Sequence, residues 1–304
     1  MASGRPWFAT GAGAGSEPGG ANEGANPPSG AVLSYYIADE VEGPLSIEIH
    51  DSDGNLVRDY SSEERDFERC IIGNMDQRIP FEVRYPAHVE GLNQWSWDFR
   101  FNGLHCIEDV KLFAGFGGAT VTPGTYRVTV AVGGNSSSTD LVILPDPRVD
   151  ATDADYEFLS ERRSEVTIML NDLLINLAIV RRARTQVTDL LTEYPDDTDL
   201  AAVGESAVAR LSAWEDKVTQ THYGTYEDED SMPPMLDVHI RHVLDVIDRA
   251  GAPVSEGSLE RLSDLGFEWD DRKQELRDIA TTDLAAVNDW AIGNGVLHVT
   301  QAIE

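Results

Sequence analysis

The aromatic run Trp95, Trp97 and Phe99 in QWSWDFRF is the first place where residue type and spacing could do chemistry. Alternate side chains of a β-strand share a face, so this spacing predicts a row of rings on one side of a strand. An open row of that kind stacks on the faces of sugar rings; a covered row is core, the commoner fate of large aromatics. Asp98 and Arg100 fall on the opposite face and read as a solvated pair rather than catalytic groups. His239 and His242 stand three apart in a helical stretch, a spacing that can serve a metal, but no HExxH frame surrounds them. A surface pair is the better reading. Asp51, Asp53 and Asn55 in DSDGNLV alternate like the start of a calcium loop, yet Gly54 comes too early and Glu63 misses the closing position by one. A hairpin turn fits those residues better.

Other constellations are missing from the sequence. There is no G-x-S-x-G elbow, no phosphate-binding glycine loop and no cysteine with an evident histidine partner. Carboxylates are so abundant that no pair singles itself out as acid and base for glycoside hydrolysis, which needs two at a defined separation. Cys70 and Cys106 lie far apart and outside any metal-ligand spacing. They could pair across a sheet in an exported chain, or remain two core thiols. The sequence therefore predicts no catalytic residue, no metal site and no cofactor, with Trp95, Trp97 and Phe99 as the candidate binding row.

Charge sets the solvent. Among 304 residues, 54 Asp and Glu face 23 Lys and Arg, a formal net charge of −31. The only lysines are Lys111, Lys217 and Lys273. The acidity is spread along a well-patterned chain instead of gathering in a tail, which is the pattern of a surface adapted to concentrated salt. At about 1 M ionic strength the screening length falls to roughly 3 Å and self-repulsion is damped. Nucleic acid is disfavoured as a partner, since phosphate neutralisation needs a basic surface. No stretch is long and apolar enough to span a bilayer, and MASGRPWFAT lacks the apolar core of a signal peptide.

The elements that must position these residues change grammar at one seam. Residues 1–30 are rich in Gly and Ala and read as a flexible lead-in. From Ala31 to Pro147 the alternation is that of strands: AVLSYYIA, PLSIEIHD, FEVRYPA, QWSWDFRF, then Tyr126, Val128, Val130 and Val132 on one face, a polar turn over residues 133–138, and a return through Leu141–Leu144. Residues 61–80 lose the pattern and read as a long connection. Pro145 and Pro147 end the sheet, and Thr152 with Asp155 forms a helix-starting capping box. Beyond it Leu159, Val166, Leu173, Val180 and Val187 recur every seven residues in one long helix stopped by Pro195, while Arg163 and Arg184 interrupt the companion row. Three further amphipathic stretches follow, around Leu211, Ile240 and Leu276. The predicted architecture is multidomain, β then α: an immunoglobulin-like sandwich over residues 31–147 and an antiparallel bundle of about four helices over 148–304.

Several short motifs, in this order, carry a resemblance. They are Asn26-Pro27-Pro28 with Gly30-Ala31-Val32, Trp97-Asp98-Phe99-Arg100, Pro123-Gly124-Thr125-Tyr126, Pro145-Asp146-Pro147-Arg148-Val149, the loop before Pro233, and Leu284-Ala285-Ala286-Val287-Asn288. Together they resemble the C-terminal region of bacterial and archaeal proteins with sortilin-type, BNR-repeat β-propellers, often labelled glycosyl hydrolases. The β part is also similar to the immunoglobulin-like module of the flagellar hook-capping protein. The propeller's Asp-box repeat, S-x-D-x-G-x-T-W, does not occur here, so no glycosidase residue carries over. The resemblance implies a non-catalytic accessory module that meets a propeller domain or another protein, outside the cytoplasm if its partner is exported. The alternative is a carbohydrate-active protein whose Trp95, Trp97 and Phe99 surface binds sugar. Self-association of the bundle would instead leave an apolar stripe open on the long helix.

Overall fold

A computed structural model describes residues 2–4, 30–38, 41–74, 83–112, 115–222 and 228–296. Most of the Gly/Ala-rich lead-in and the Asn26-Pro27-Pro28 motif lie outside the described residues. The order of elements is β then α. The chain forms two compact units: Met1–Arg69, Pro80–Gly103 and Gly117–Ser160 make the first, and Cys70–Ile79, Leu104–Phe116 and Glu161–Glu304 make the second.

The first unit is built on two sheets. The strands are β1 (Ala2–Gly4), β2 (Ala31–Ile37), β3 (Ser46–His50), β4 (Leu56–Ser61), β5 (Gly91–Trp97), β6 (Gly124–Val132) and β7 (Asn135–Ile143). Four of them pair antiparallel in the order β7-β6-β3-β4, with three-residue β1 alongside β7 in parallel; β2 and β5 pair antiparallel as a second, two-stranded sheet. Alternation did its expected work. Ile47, Ile49, Tyr126, Val128, Leu141 and Ile143 are buried in one core with Trp97 and Phe99.

The β6–β7 turn is tighter than the polar composition of residues 133–138 predicts. Gly133 and Gly134 both take positive φ, 56° and 78°, the two-residue turn whose twist matches its flanking strands. The serines thus belong to β7, with Ser136, Ser137 and Ser138 opposite Ala131, Val130 and Thr129. Asp51 makes the β3–β4 turn, its Oδ1 accepting from the N–H groups of Asp53 and Asn55 at 2.9 and 2.8 Å. The edge of β4 is covered by irregular chain: Asn102 N–H donates to Val57 O at 2.9 Å and its side chain to Asp59 Oδ1 at 2.6 Å. At the β6 corner the Tyr126 hydroxyl donates to Thr122 O at 2.7 Å, tying down the loop that enters the strand.

The stretch 61–80, read as a connection, contains helix α1 (Asp66–Gly73). The long helix α2 runs Asp153–Glu193, about 60 Å at about 1.5 Å per residue. Its capping box forms as the sequence predicts, Thr152 N–H donating to Asp155 Oδ2 at 2.8 Å and Asp155 N–H to Thr152 Oγ1 at 3.3 Å. Then come α3 (Thr198–Val218), the single turn α4 (Asp228–Ser231), α5 (Leu236–Ala250), α6 (Glu256–Ile279) and α7 (Ala285–Gly293). A π turn, Ala280–Leu284, joins α6 to α7 without a break.

In the second unit the apolar stripes of α2, α3, α5, α6 and α7 are buried, including Leu173, Leu211, Ile240, Leu265 and Val287. Segment 104–116 belongs to this unit rather than to the strands that flank it. Its Leu104, Ile107, Val110, Leu112 and Phe116 are buried at irregular spacings that no strand would use. Cys70 and Cys106 form a disulfide, joining the end of α1 to this segment. The bond is therefore not the cross-sheet bridge one sequence reading allowed. Asn74 reinforces it, its side-chain amide donating to Ile107 O at 2.7 Å and its backbone carbonyl accepting from Lys111 Nζ at 3.1 Å.

Candidate functional site

The aromatic row does not form a platform. Trp97 is 0% exposed and Phe99 7%, because both rings turn into the first unit's core. Trp97 packs edge-to-face with Phe99 and Tyr126, centroids 5.5 and 5.4 Å apart, and its Nε1–H donates to Arg100 O at 3.0 Å. Trp95 is half-buried beside Tyr60, centroids 5.1 Å apart. A sugar ring needs an open indole face, and Trp97 offers none. Asp98 and Arg100 are held locally: Asp98 Oδ1 accepts the Arg100 N–H at 3.2 Å, and Arg100 Nη1 donates to Gly118 O at 2.8 Å.

The histidines behave as a surface pair. His239 is half-buried and His242 exposed on α5; burial, then Arg261, holds the His239 imidazole below its ordinary pKa. Among the described residues, no cluster of three or more His, Cys, Asp or Glu side chains could hold a metal ion.

The buried polar residues of the second unit escaped sequence reading. Glu215 on α3 accepts from Arg181 Nε at 2.7 Å and from Arg184 Nη1, both on α2. Arg181 Nη1 also donates to Glu108 O at 2.7 Å. Nearby on α5, Asp237 is 0% exposed. Its Oδ1 accepts the Val238 N–H at 2.7 Å, while Oδ2 has no hydrogen-bond partner among the described residues. Burial pushes this carboxyl up to about 7, against the Thr219 hydroxyl, nearby backbone N–H groups and Arg181, which all favour the charged form.

The surface that stands out is the outer face of the two-stranded sheet. Register places Tyr36 opposite Leu92, Ser34 opposite Gln94 and Val32 opposite Ser96. Tyr36 and Leu92 are 71% and 70% exposed, and Val32 is 45% exposed. The Gln94 side chain donates to Ser34 Oγ at 3.2 Å. All six residues are uncharged, in a chain whose residues are 25% charged. The contrast with the β6–β7 pair is direct, since Arg127 and Asp140 form an ion pair there at 3.0 Å. Sequence alternation could have found this face: AVLSYYI carries an uncharged residue on both sides of the strand.

Among the described residues, no helix is long and apolar enough to cross a membrane. Compared with known protein families, curated proteins and solved structures, the chain matches none.

Proposed function

We propose that this chain is a non-catalytic interaction module from a halophile, an immunoglobulin-like sandwich followed by a helical bundle. Its uncharged β2–β5 face docks on a protein partner, such as the propeller domain that the order of sequence motifs implies. The observation that carries this reading is the Tyr36–Leu92 pair, exposed within a face free of charge on a molecule of net charge −31. In molar salt, charge pairs are screened within a few ångströms, whereas burial of apolar surface keeps its strength or gains. An acidic halophilic protein that must recognise a partner is served best by such a patch. The Cys70–Cys106 disulfide supports an oxidising compartment and thus an exported protein. The sugar-binding alternative loses its support with the burial of Trp97 and Phe99.

The test is site-specific photo-crosslinking in molar potassium chloride with extract of the source organism. A crosslinker at position 36 or 92 should capture one and the same protein, and one at Ser138, on β7, should not. Equal capture from all three positions, or capture only of a second copy of this chain, would sink the proposal.

A further inference from the structure

The π turn between α6 and α7 opens a cleft against α3. A π turn adds a residue to the helical repeat and recurs at functional sites; here it carries Asp283 toward α3, where Ser206 and Arg210 stand one turn apart. Thr281 and Thr282 hydroxyls donate to the carbonyls of Arg277 and Asp278 at 2.9 and 2.5 Å. The cleft is an open depression of about 360 Å³, with Ala202, Val203 and Ala286 as its apolar lining. An apolar lining and a few convergent polar groups, in that range of volume, suit a small ligand.

The polar groups are already oriented. Ser206 Oγ donates to Asp283 Oδ1 at 3.0 Å, and Arg210 Nη1 donates to Asp283 Oδ2 and, at 3.1 Å, to Thr282 Oγ1. Thr282 Oγ1 also lies 2.8 Å from Asp283 Oδ2. Every hydrogen bond of Arg210 among the described residues runs through Nη1, which leaves Nε and Nη2 as donors on a side chain 43% exposed. The Ser206 hydrogen is engaged by Asp283, so that hydroxyl turns an acceptor outward. Asp283, with a side chain 10% exposed, balances the charge of Arg210. An anion finds no unneutralised cation here and meets the repulsion of a molecule at −31; a cation finds a carboxylate already receiving the Ser206 hydroxyl and Arg210 Nη1.

We propose that this cleft binds a small neutral polyol through adjacent hydroxyls. One oxygen pair accepts from the free Nε and Nη2 edge of Arg210, one hydroxyl donates to Ser206 Oγ, and the carbon backbone lies on Ala202, Val203 and Ala286. The site is independent of the β2–β5 face.

Erythritol, titrated into the full chain in molar potassium chloride and followed by ¹H–¹⁵N NMR, tests the proposal. The Arg210 Nε–H signal and the Ser206 amide should move saturably, and Ser206→Ala should weaken binding about tenfold, the cost of one hydrogen bond to a charged network. Alanine suits an exposed helical position, and circular dichroism verifies that the variant remains folded. Acetate at equal concentration should leave both signals in place. Drift that never saturates, unchanged affinity in folded Ser206→Ala, or saturable binding of acetate without erythritol overturns the assignment.

Discussion

Glu215 Oε1 on α3 lies 2.7 Å from Arg181 Nε on α2, and only 2% of the Glu215 side chain meets solvent. Arg184 closes on the other carboxylate oxygen. The apolar stripe of α2 is thus broken by residues that have matched partners. Arg163 repeats the arrangement near the other end, with Nε 3.0 Å from Asp248 Oδ1 on α5 and both side chains 7% exposed. Removing one member of a buried pair leaves charge without compensation. Glu215→Ala should therefore destabilise the chain by about 3 kcal/mol, toward the lower end of that class because both arginines keep some access to water. Urea denaturation in molar salt reads this directly, and a loss below about 1 kcal/mol, the value of an exposed pair, would show that the triad is not buried in solution.

Asp237 gives stability an unusual pH dependence. Its folded pKa of about 7 lies above the unfolded value of 3.8, so the folded state binds the proton more tightly. Its contribution is fully present below pH 3.8 and is lost as pH rises through 7. Arg181, on α2, opposes the shift without cancelling it. Asp237→Asn should be more stable than the parent at pH 8, with the advantage gone at pH 4. The thermal midpoints of the two proteins at both pH values decide the matter; parallel profiles would refute a buried neutral acid.

The disulfide closes a sequence separation of 36 residues, which corresponds to about 4 kcal/mol if its effect is to restrict the unfolded chain. The double variant Cys70→Ala, Cys106→Ala should lose stability on that scale, most of it in the second unit. Hydrogen exchange would reveal the loss as faster opening around Ile107 and Asn74, with the β6–β7 pair little changed. Uniform loss across both units is the opposite outcome.

Much of this fold was legible in the sequence because the informative signals are local. Period-two alternation marked β3 and β6, Thr152 and Asp155 marked the start of α2, and Pro195 its end. Tyr126 was legible too: a corner tyrosine needs only its own loop, and Thr122 O is four residues away. Features that depend on distant segments were not legible. Leu104, Ile107 and Phe116 carry no strand period because helices cover them, so their place in the second unit had no local signature. Asp237 looked like any acidic residue in a helix's first turn, and nothing in ATTDL announced a π turn. For Trp95 and Trp97 the spacing was informative about their shared strand β5, which ends before Phe99, a residue at φ 61°, and it was silent about which side of the sheet the rings face. That outcome was decided by Tyr126 and Ile47 waiting in the core.

Burial of the aromatic row makes its own prediction. Trp97→Ala should cost about 3–5 kcal/mol, the range for a large aromatic removed from a packed core. Simple saccharides should leave the fluorescence of the parent chain unchanged, since Trp97 has no open face. A saturable change with sugar that Trp97→Phe abolishes without loss of stability would return the row to a binding role.

Salt acts on this fold through two opposing effects. Exposed pairs such as Arg127–Asp140 and Arg69–Glu64 weaken as the screening length shrinks from about 10 Å at 0.1 M to about 3 Å at 1 M. Each such pair contributes at most about 1 kcal/mol, and most of the 54 carboxylates have too few cations to meet, since the chain holds only 23 Lys and Arg. Repulsion among the surplus acts over longer distances than the pairs and is screened by the same ions. The balance therefore favours salt: the thermal midpoint should climb steadily between 0.1 and about 2 M potassium chloride, with the early rise steepest because long-range repulsion is screened first. A midpoint that falls or stays level over that range would mean that the pairs outweigh the surplus, and the acidity would then need an explanation other than life in brine.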